Sequence, residues 1–599
     1  MGHRILFVML HPGFVRYYED ALHALAGAGY DVHVAFEVSR TKLGEDVTAQ
    51  RLAASSPRIT CGTTPERSES VREFLIRADR TAVRAGDDGT PRTRADAWES
   101  LATTVRLLAD YLRFFEPEFD QAAPLRARVE KRLPRVYTRL VRAFGWSRAS
   151  RAVLAALLRG LERVIPTAPG IEAFLREQQP DLLLVTPLIE LGSQQVDYVK
   201  AARALGIRSA LCVASWDNLT SKGLVRVLPD HVVVWNEAQK REAMSLHGVP
   251  AERVLVTGAQ LFDRWFTMQP SRSREEFCRQ TGLDPARPFL LYVGSSMFIA
   301  PDEVPFAERW LATLRGADDP MVAGVGALIR PHPANARQWR TFDLAAFGNA
   351  TVWPPIGTDP TSPGFKEDFF DSIYHSAGVV GINTSAQLEA AIIGRPVFTV
   401  RSPEFAHAQE GTLHFRHLVR DGGVVQVADT LDEHVRQVGS FAGTADAWSA
   451  RNRAFVERFI RPHGLDTPAT PHFVDAVTRL RSDPPPRPRP AAPWVKVLRA
   501  PALLCAYAAR SLADGRPLWV YAMRPVVTAG VWTAAVPYGV GNGWEAHVRP
   551  AMKRMRRGVW TAWYESSRGV GQQAHRARKR LLRAMHDARV AARRTVGPR

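Results

Sequence analysis

Along residues 4–258 short, unbroken apolar runs alternate with stretches of helical spacing. "RILFVML" (4–10) is followed by Gly13, a helical pattern from Tyr17 to Ala28 that Gly29 ends, and "YDVHVAF" (30–36). Apolar runs of this length read as strands covered on both faces, and the strand–loop–helix–strand order opens a doubly wound sheet. The alternation resumes with "DLLLVTP" (181–187), a helix over 193–206, "RSALCVAS" (208–215), "HVVVWN" (231–236), a helix over 237–248 and "RVLVTG" (253–258). Residues 66–165 break the rhythm. They are rich in Arg and Leu at helical spacing and predict a helical insertion. A second series begins after 271–287: "PFLLYVGSS", "GALIRPHP", "ATVWPP", "GVVGIN", "RPVFTV" and "VVQVAD". Helices over 430–442 and 445–461 close it. The expected fold is α/β: a Rossmann-like domain over 1–270, a second over 271–480, and a cleft between them.

In such sheets ligands sit beyond the carboxyl ends of the strands, and here those ends are polar. One strand runs into Gly294-Ser295-Ser296, another into Arg330-Pro331-His332-Pro333, a third into Asn383-Thr384-Ser385. A helix starts immediately after Ser385, so its unpaired N–H groups and dipole offer an anion site, and small side chains leave the approach open. Glu389 lies four residues on, on the same helix face as Ser385. A diphosphate at the helix mouth places a ribose near Glu389, and Arg330 and His332 add charge-assisted bonds. The structural alternatives are that Thr384 or Ser385 only caps the helix and that Glu389 is a solvated acid. Against the latter, its neighbours Leu388, Ala390, Ala391, Ile392 and Ile393 mark a buried helix, where an unpaired acid is costly.

These segments resemble a known family. "LIRPHP" and "INTSAQLEAAIIGRPVF" are similar to the corresponding parts of GT-B nucleotide-sugar enzymes, among them UDP-N-acetylglucosamine 2-epimerases, CDP-glycerol glycerophosphotransferases and capsule polysaccharide transferases. The resemblance spans about residues 1–470 and is strongest over 288–415. It implies that the small residues before the helix hold the diphosphate and that Glu389 holds the ribose. It also implies that Gln409, Glu410, Gly411 and Thr412 face the donor sugar. The 2-epimerases usually carry two glycines and paired acids here, whereas this chain has Thr384-Ser385 and one acid. "SWDNLTSKG" (215–223) resembles a stretch of surface-carbohydrate proteins of the same superfamily.

Glycosyl transfer needs a base for the acceptor hydroxyl and charge compensation on the leaving diphosphate. No Asp-x-Asp pair suggests a metal, and no cofactor is expected beyond a UDP-, CDP-, GDP- or dTDP-linked donor. His11, after the first strand, is the first candidate base; Asp217 and Glu190 are its rivals. Trp216, Asn218 and Lys222 are candidate acceptor contacts, for a glycan or lipid-linked acceptor. His11 as part of a plain turn, Trp216 as a core side chain and Lys222 as a solvated lysine are the alternatives. The resemblance implies a surface-polysaccharide glycosyltransferase. A CDP-glycerol-type polyol-phosphate transferase, an epimerase and an inactive sugar-nucleotide-binding scaffold are the other readings.

Charge changes this picture only at one end. Of the net +19, residues 481–599 supply 23 Lys+Arg against 5 Asp+Glu, leaving 56 against 55 in residues 1–480. A neutral body argues against nucleic-acid binding by that body. "PPPRPRPAAP" (484–493) reads as a polyproline spacer of about 30 Å if extended, setting apart a tail over 494–599. That tail carries six of the fifteen tryptophans among basic clusters, a composition suited to an anionic membrane surface. Residues 525–544 are uncharged but contain Pro525 and Pro537, so an interfacial rather than spanning segment is expected. Single-stranded nucleic acid is the rival partner for the tail, and a plain solvated tail the third reading. Four scattered cysteines and the absence of a signal-like N-terminus predict reduced thiols and a cytoplasmic location, peripheral on the inner face of the membrane.

Overall fold

Each predicted apolar run divides its side chains between two cores. In the computed structural model, which describes residues 3–38, 47–65, 67, 97–145, 147–355, 364–420, 422–440 and 445–514, the first strand β1 (His3–Met9) sends Ile5, Phe7 and Met9 to one face and Leu6 and Val8 to the other. Burying each such side chain contributes about 1.5–3 kcal/mol. A strand covered twice in this way belongs in the middle of a sheet, and β1 lies there. With β2 (Tyr30–Phe36), β3 (Ile59–Thr63), β4 (Leu182–Thr186), β5 (Arg208–Cys212), β6 (His231–Val234) and β7 (Val254–Val256) it forms a seven-stranded parallel sheet of order β3-β2-β1-β4-β5-β6-β7. The second sheet joins β8 (Phe289–Val293), β9 (Gly326–Arg330), β10 (Ala350–Val352), β11 (Gly378–Gly381), β12 (Val397–Val400) and β13 (Val425–Ala428), all parallel, as β10-β9-β8-β11-β12-β13. The order reverses beside β1 in the first sheet and beside β8 in the second. Crevices open at such reversals.

The two lobes share a core. Trp216, Trp235, Ala259 and Phe262 of the first pack in one cluster with Leu388, Ala391 and Phe415 of the second. The backbone ties them again, Ala259 N–H donating to Ile460 O at 2.9 Å. The chain then returns: helix Ala469–Ser482 lays Phe473, Val477 and Leu480 against the β1 face of the first lobe.

From residue 97 on the insertion is helical as expected, with helices Ala97–Arg113, Ala123–Glu130, Arg135–Phe144 and Arg148–Val164, while most of 66–96 lies outside the described residues. The proline-rich stretch is not a free spacer. Arg208 donates to Pro484 O at 2.7 Å and Arg489 N–H to Arg203 O at 2.9 Å, so the segment runs along the first lobe. Helix Pro493–Asp514 follows and buries Ala506 and Ala509 in the core of the insertion. The body therefore ends at Asp514, not at 480, because the first apolar face of the expected tail has a partner. The rest of that tail, including 525–544, lies outside the described residues.

Candidate functional site

A cleft of about 260 Å³ opens between the carboxyl ends of the two sheets. Its second-lobe wall is built from three strand ends. Gly294 follows β8, and its N–H donates to Arg330 O at 2.9 Å. A Cβ there would sit 3.2 Å from His332 N and 3.3 Å from Arg330 O, so glycine eases the close approach of the two strand ends. Arg330 ends β9. It is buried, and its guanidinium donates to Ser372 Oγ at 2.8 Å while lying over the rings of Trp353, Phe365 and Phe369. Burial lowers its pKa to about 10, and among the described residues no carboxylate forms an ion pair with it. His332 accepts from Ala334 N–H through Nδ1 at 3.1 Å. That bond leaves the ring proton on Nε2, as a donor. Burial and the charge of Arg16 lower its pKa, which keeps the ring neutral.

The third strand end is the mouth of helix Ala386–Ile393. Ser385 makes no side-chain cap bond; Thr384 Oγ1 instead accepts from Ala386 N–H at 3.4 Å. Gly394, at φ 84°, ends the helix, a conformation that favours glycine. Glu389 lines the cleft one turn inside. Its Oε2 is buried and has no hydrogen bond. Burial pushes its pKa up to about 8, against the pull of the Arg16 charge.

Gly294, Arg330, His332, Thr384, Ser385, Glu389 and Trp216 thus line one cleft. Ser295 and Ser296 do not. Ser295 turns inward, its N–H bonding Glu303 Oε2 at 2.8 Å, and Ser296 O accepts from Ile299 N–H to begin a turn. The 409–412 stretch is also not part of the cleft wall. Gln409 Nε2 donates to Val400 O at 2.9 Å, Glu410 pairs with Arg401 at 3.1 Å, and Thr412 Oγ1 donates to Ala408 O at 3.0 Å. A Cβ on Gly411 would fall inside contact distance of His407 O and 2.7 Å from Gln121 O. Gly411→Ala should therefore cost about 1–3 kcal/mol in urea unfolding, with donor affinity changed less than the stability; an undiminished midpoint would contradict this packing.

The three candidate bases also lie off the cleft wall. The His11 ring packs edge-on against Phe14 at 4.8 Å. Asp217 accepts from the hydroxyls of Ser215 at 2.7 Å and Ser221 at 2.8 Å. Burial raises its pKa, but His414, Lys222 and these hydroxyls outweigh burial and leave it below the usual carboxylate value. Glu190 forms an ion pair with Lys222 at 2.7 Å. Burial raises Glu190 too, and the lysine reverses the shift, so neither member of the pair is free for an acceptor. Asn218 Oδ1 accepts from Ser215 N–H at 3.1 Å and shapes the loop.

That loop belongs to a buried polar bridge between lobes. Thr220 Oγ1 donates to Asp217 O at 3.0 Å and lies 3.2 Å from His414 Nδ1, while Asn383 Nδ2 lies 3.4 Å from His414 Nε2. The bonds are mutually consistent for a neutral ring protonated on Nδ1, and burial lowers His414 to about 4. Trp216 stands edge-on to His414 at 4.8 Å, which fixes its ring at the back of the cleft.

Apart from Trp216, the first-lobe wall is built from residues that no sequence motif singles out. Arg16 and Tyr17 follow β1 in the short helix Pro12–Tyr17, with the guanidinium over the Tyr17 ring at 4.6 Å. Lys366 reaches Glu19 across the cleft at 3.5 Å, and Arg264 pairs with Asp20 at 2.7 Å. The available signal was an arginine in the loop after the first central strand, the position where a reversal crevice opens.

No protein-family model matches the chain, and a search of curated proteins finds no match. Solved structures do align with it. A glycosyltransferase from Rickettsia africae has a TM-score of 0.44 and 8% identity, over 81% of this chain and 100% of the other. The UDP-GlcNAc 2-epimerase of Methanocaldococcus jannaschii, in complex with UDP-GlcNAc and UDP, has 0.43 and 11%, over 80% and 99%. WaaG, a glycosyltransferase involved in lipopolysaccharide biosynthesis, has 0.39 and 12%, over 79% and 99%.

Proposed function

We propose that the cleft binds a nucleotide-activated sugar and that the protein is a glycosyltransferase of surface polysaccharide synthesis, peripheral on the inner face of a bacterial membrane. The observation that carries this is the pairing of two unmet needs on one wall. Among the described residues Arg330 is a buried cation that forms no ion pair with a carboxylate, and Glu389 Oε2 is a buried acceptor without a donor. A diphosphate between Arg330, the His332 Nε2–H and the helix mouth answers the first. Two vicinal ribose hydroxyls donating to Glu389 answer the second. Arg16 would then face the same anion from the first lobe, and Trp216 would bound the sugar or acceptor. Leaving-group charge is met by these fixed donors, which need no reorganisation as the bond breaks.

A thermal-shift screen with UDP-, CDP-, GDP- and dTDP-linked donors tests the reading. One base class should raise Tm in proportion to the logarithm of its concentration; no shift with any of them contradicts it. For the base we retain His11, which shares its segment with Arg16 and Tyr17. His11→Ala should lower turnover by about 10²–10⁴-fold with donor affinity unchanged, and near-normal kcat would place the base elsewhere. That none of His11, Asp217 and Glu190 lines the cleft favours a second reading, a sugar-nucleotide-binding subunit without turnover. Donor binding with neither hydrolysis nor transfer to any acceptor would establish it.

A further inference from the structure

Three neighbouring helices carry apolar side chains that point away from the core. Arg135–Phe144, Arg148–Val164 and Pro493–Asp514 bury Val141, Leu158 and Ala506 in one shared cluster. On their outer sides Phe144, Val153, Leu157, Trp494, Val497 and Leu504 are 58% to 73% exposed. The spacing is regular. Val136, Leu140 and Phe144 recur every four residues, as do Ala149, Val153 and Leu157, and Trp494, Val497, Pro501 and Leu504 follow a three-four rhythm. Each is a second helical stripe, facing outward. The rim is cationic, with Arg139, Arg148, Arg159, Arg163 and Lys496 all exposed. These helices contain only two acids. Glu162 is buried against Arg106 at 2.9 Å, and Asp514 is the last residue.

We infer that this face is a docking surface for an anionic lipid bilayer, into which the stripes insert while the arginines meet the headgroups. Charge selects the occupant. Residues 515–599 hold 17 Lys+Arg and 3 Asp+Glu, a charge that complements an anionic partner and not a cationic rim. A second copy would oppose two cationic rims. A nucleic-acid strand would satisfy the arginines and leave the valines and leucines in water. A bilayer with acidic headgroups answers both features. The inference deepens the membrane placement proposed above, which rested on the tail, and is independent of what the cleft binds.

Cys505 is exposed on this face, whereas Cys212 and Cys278 are buried. The full chain carrying Cys61→Ser is labelled at Cys505 with a polarity-sensitive dye and mixed with phosphatidylcholine vesicles containing about 30% phosphatidylglycerol. The emission should shift to the blue with these vesicles and not with pure phosphatidylcholine. Leu157→Glu with Trp494→Glu, both at exposed positions, should weaken flotation about tenfold or more, because two apolar groups that would enter the bilayer become charged. Flotation with unchanged dye emission, meaning that the tail alone holds the protein, overturns the inference. So does the same shift on adding polyuridylate without vesicles, undiminished flotation of the double variant, or no flotation at all.

Discussion

Glu389→Gln should raise the stability of the free protein at pH 8.5, leave it unchanged near pH 4.5, and weaken donor binding. The sign follows from burial. The carboxyl ionises near 4.5 in the unfolded chain and near 8 in the folded one, so between these values the folded state holds a proton that the unfolded state has released. Wild-type stability must then fall as pH rises through this window. Glutamine removes the fall. The gain above pH 8 should reach about 2–4 kcal/mol, below the full linkage value because water reaches the cleft. Binding should change in the opposite sense. Two hydroxyl bonds to a carboxylate are each worth about 1.5–3 kcal/mol, so Kd should rise by about tenfold or more at pH 8.5, and by less at pH 6, where the wild-type carboxyl is already protonated before ligand arrives. Urea unfolding and titration calorimetry at both pH values check the pair. A variant less stable than wild type at pH 8.5, with unchanged affinity, would mean that Glu389 has a partner after all.

Arg330→Met should weaken donor binding by about 100-fold or more, the loss of a buried charge-assisted contact to a diphosphate, while folding survives. Methionine fills the space among Trp353, Phe365 and Phe369, and the one hydroxyl left behind, Ser372, already donates to Asp368 O at 2.7 Å. Arg330→Lys should recover little, because an ammonium cannot lie flat against three rings and also reach Ser372. Calorimetry with the donor found in the screen, alongside the thermal midpoint without ligand, separates binding from folding. Full affinity in Arg330→Met would place the phosphates elsewhere.

Twelve of the thirteen strands announce themselves as short apolar runs, including the edge strands β7, β10 and β13, and the central ones are the clearest. Buried on both faces, the central strands read as unbroken apolar runs such as "FLLYV". β3 did not, since "ITCGT" is an edge strand with only Ile59 fully buried, and its polar residues resemble a loop. The boundary at 480 failed for a related reason. Proline-rich composition signals stiffness but says nothing of what lies beside it, and here Arg208 and Arg203 supply the backbone partners. In the site, the strand-end residues were legible because glycine, small hydroxyls and an isolated acid at a helix mouth have few structural explanations. The 409–412 stretch misled because its polar side chains satisfy neighbouring carbonyls and charges, which spacing along the chain cannot reveal. Arg16, Glu19, Asp20 and Lys366 were illegible individually. Exposed charges abound in the sequence, and only the approach of the two lobes gathers these around the cleft.

The central claim concerns where a nucleotide lies, and a crystal structure of the protein soaked with the donor identified by thermal shift addresses it directly. The account predicts diphosphate density against Arg330, His332 and the Thr384–Ala386 backbone, with both ribose hydroxyls within hydrogen-bonding distance of Glu389. A nucleotide bound outside this cleft, or one whose ribose lies away from Glu389, would contradict it.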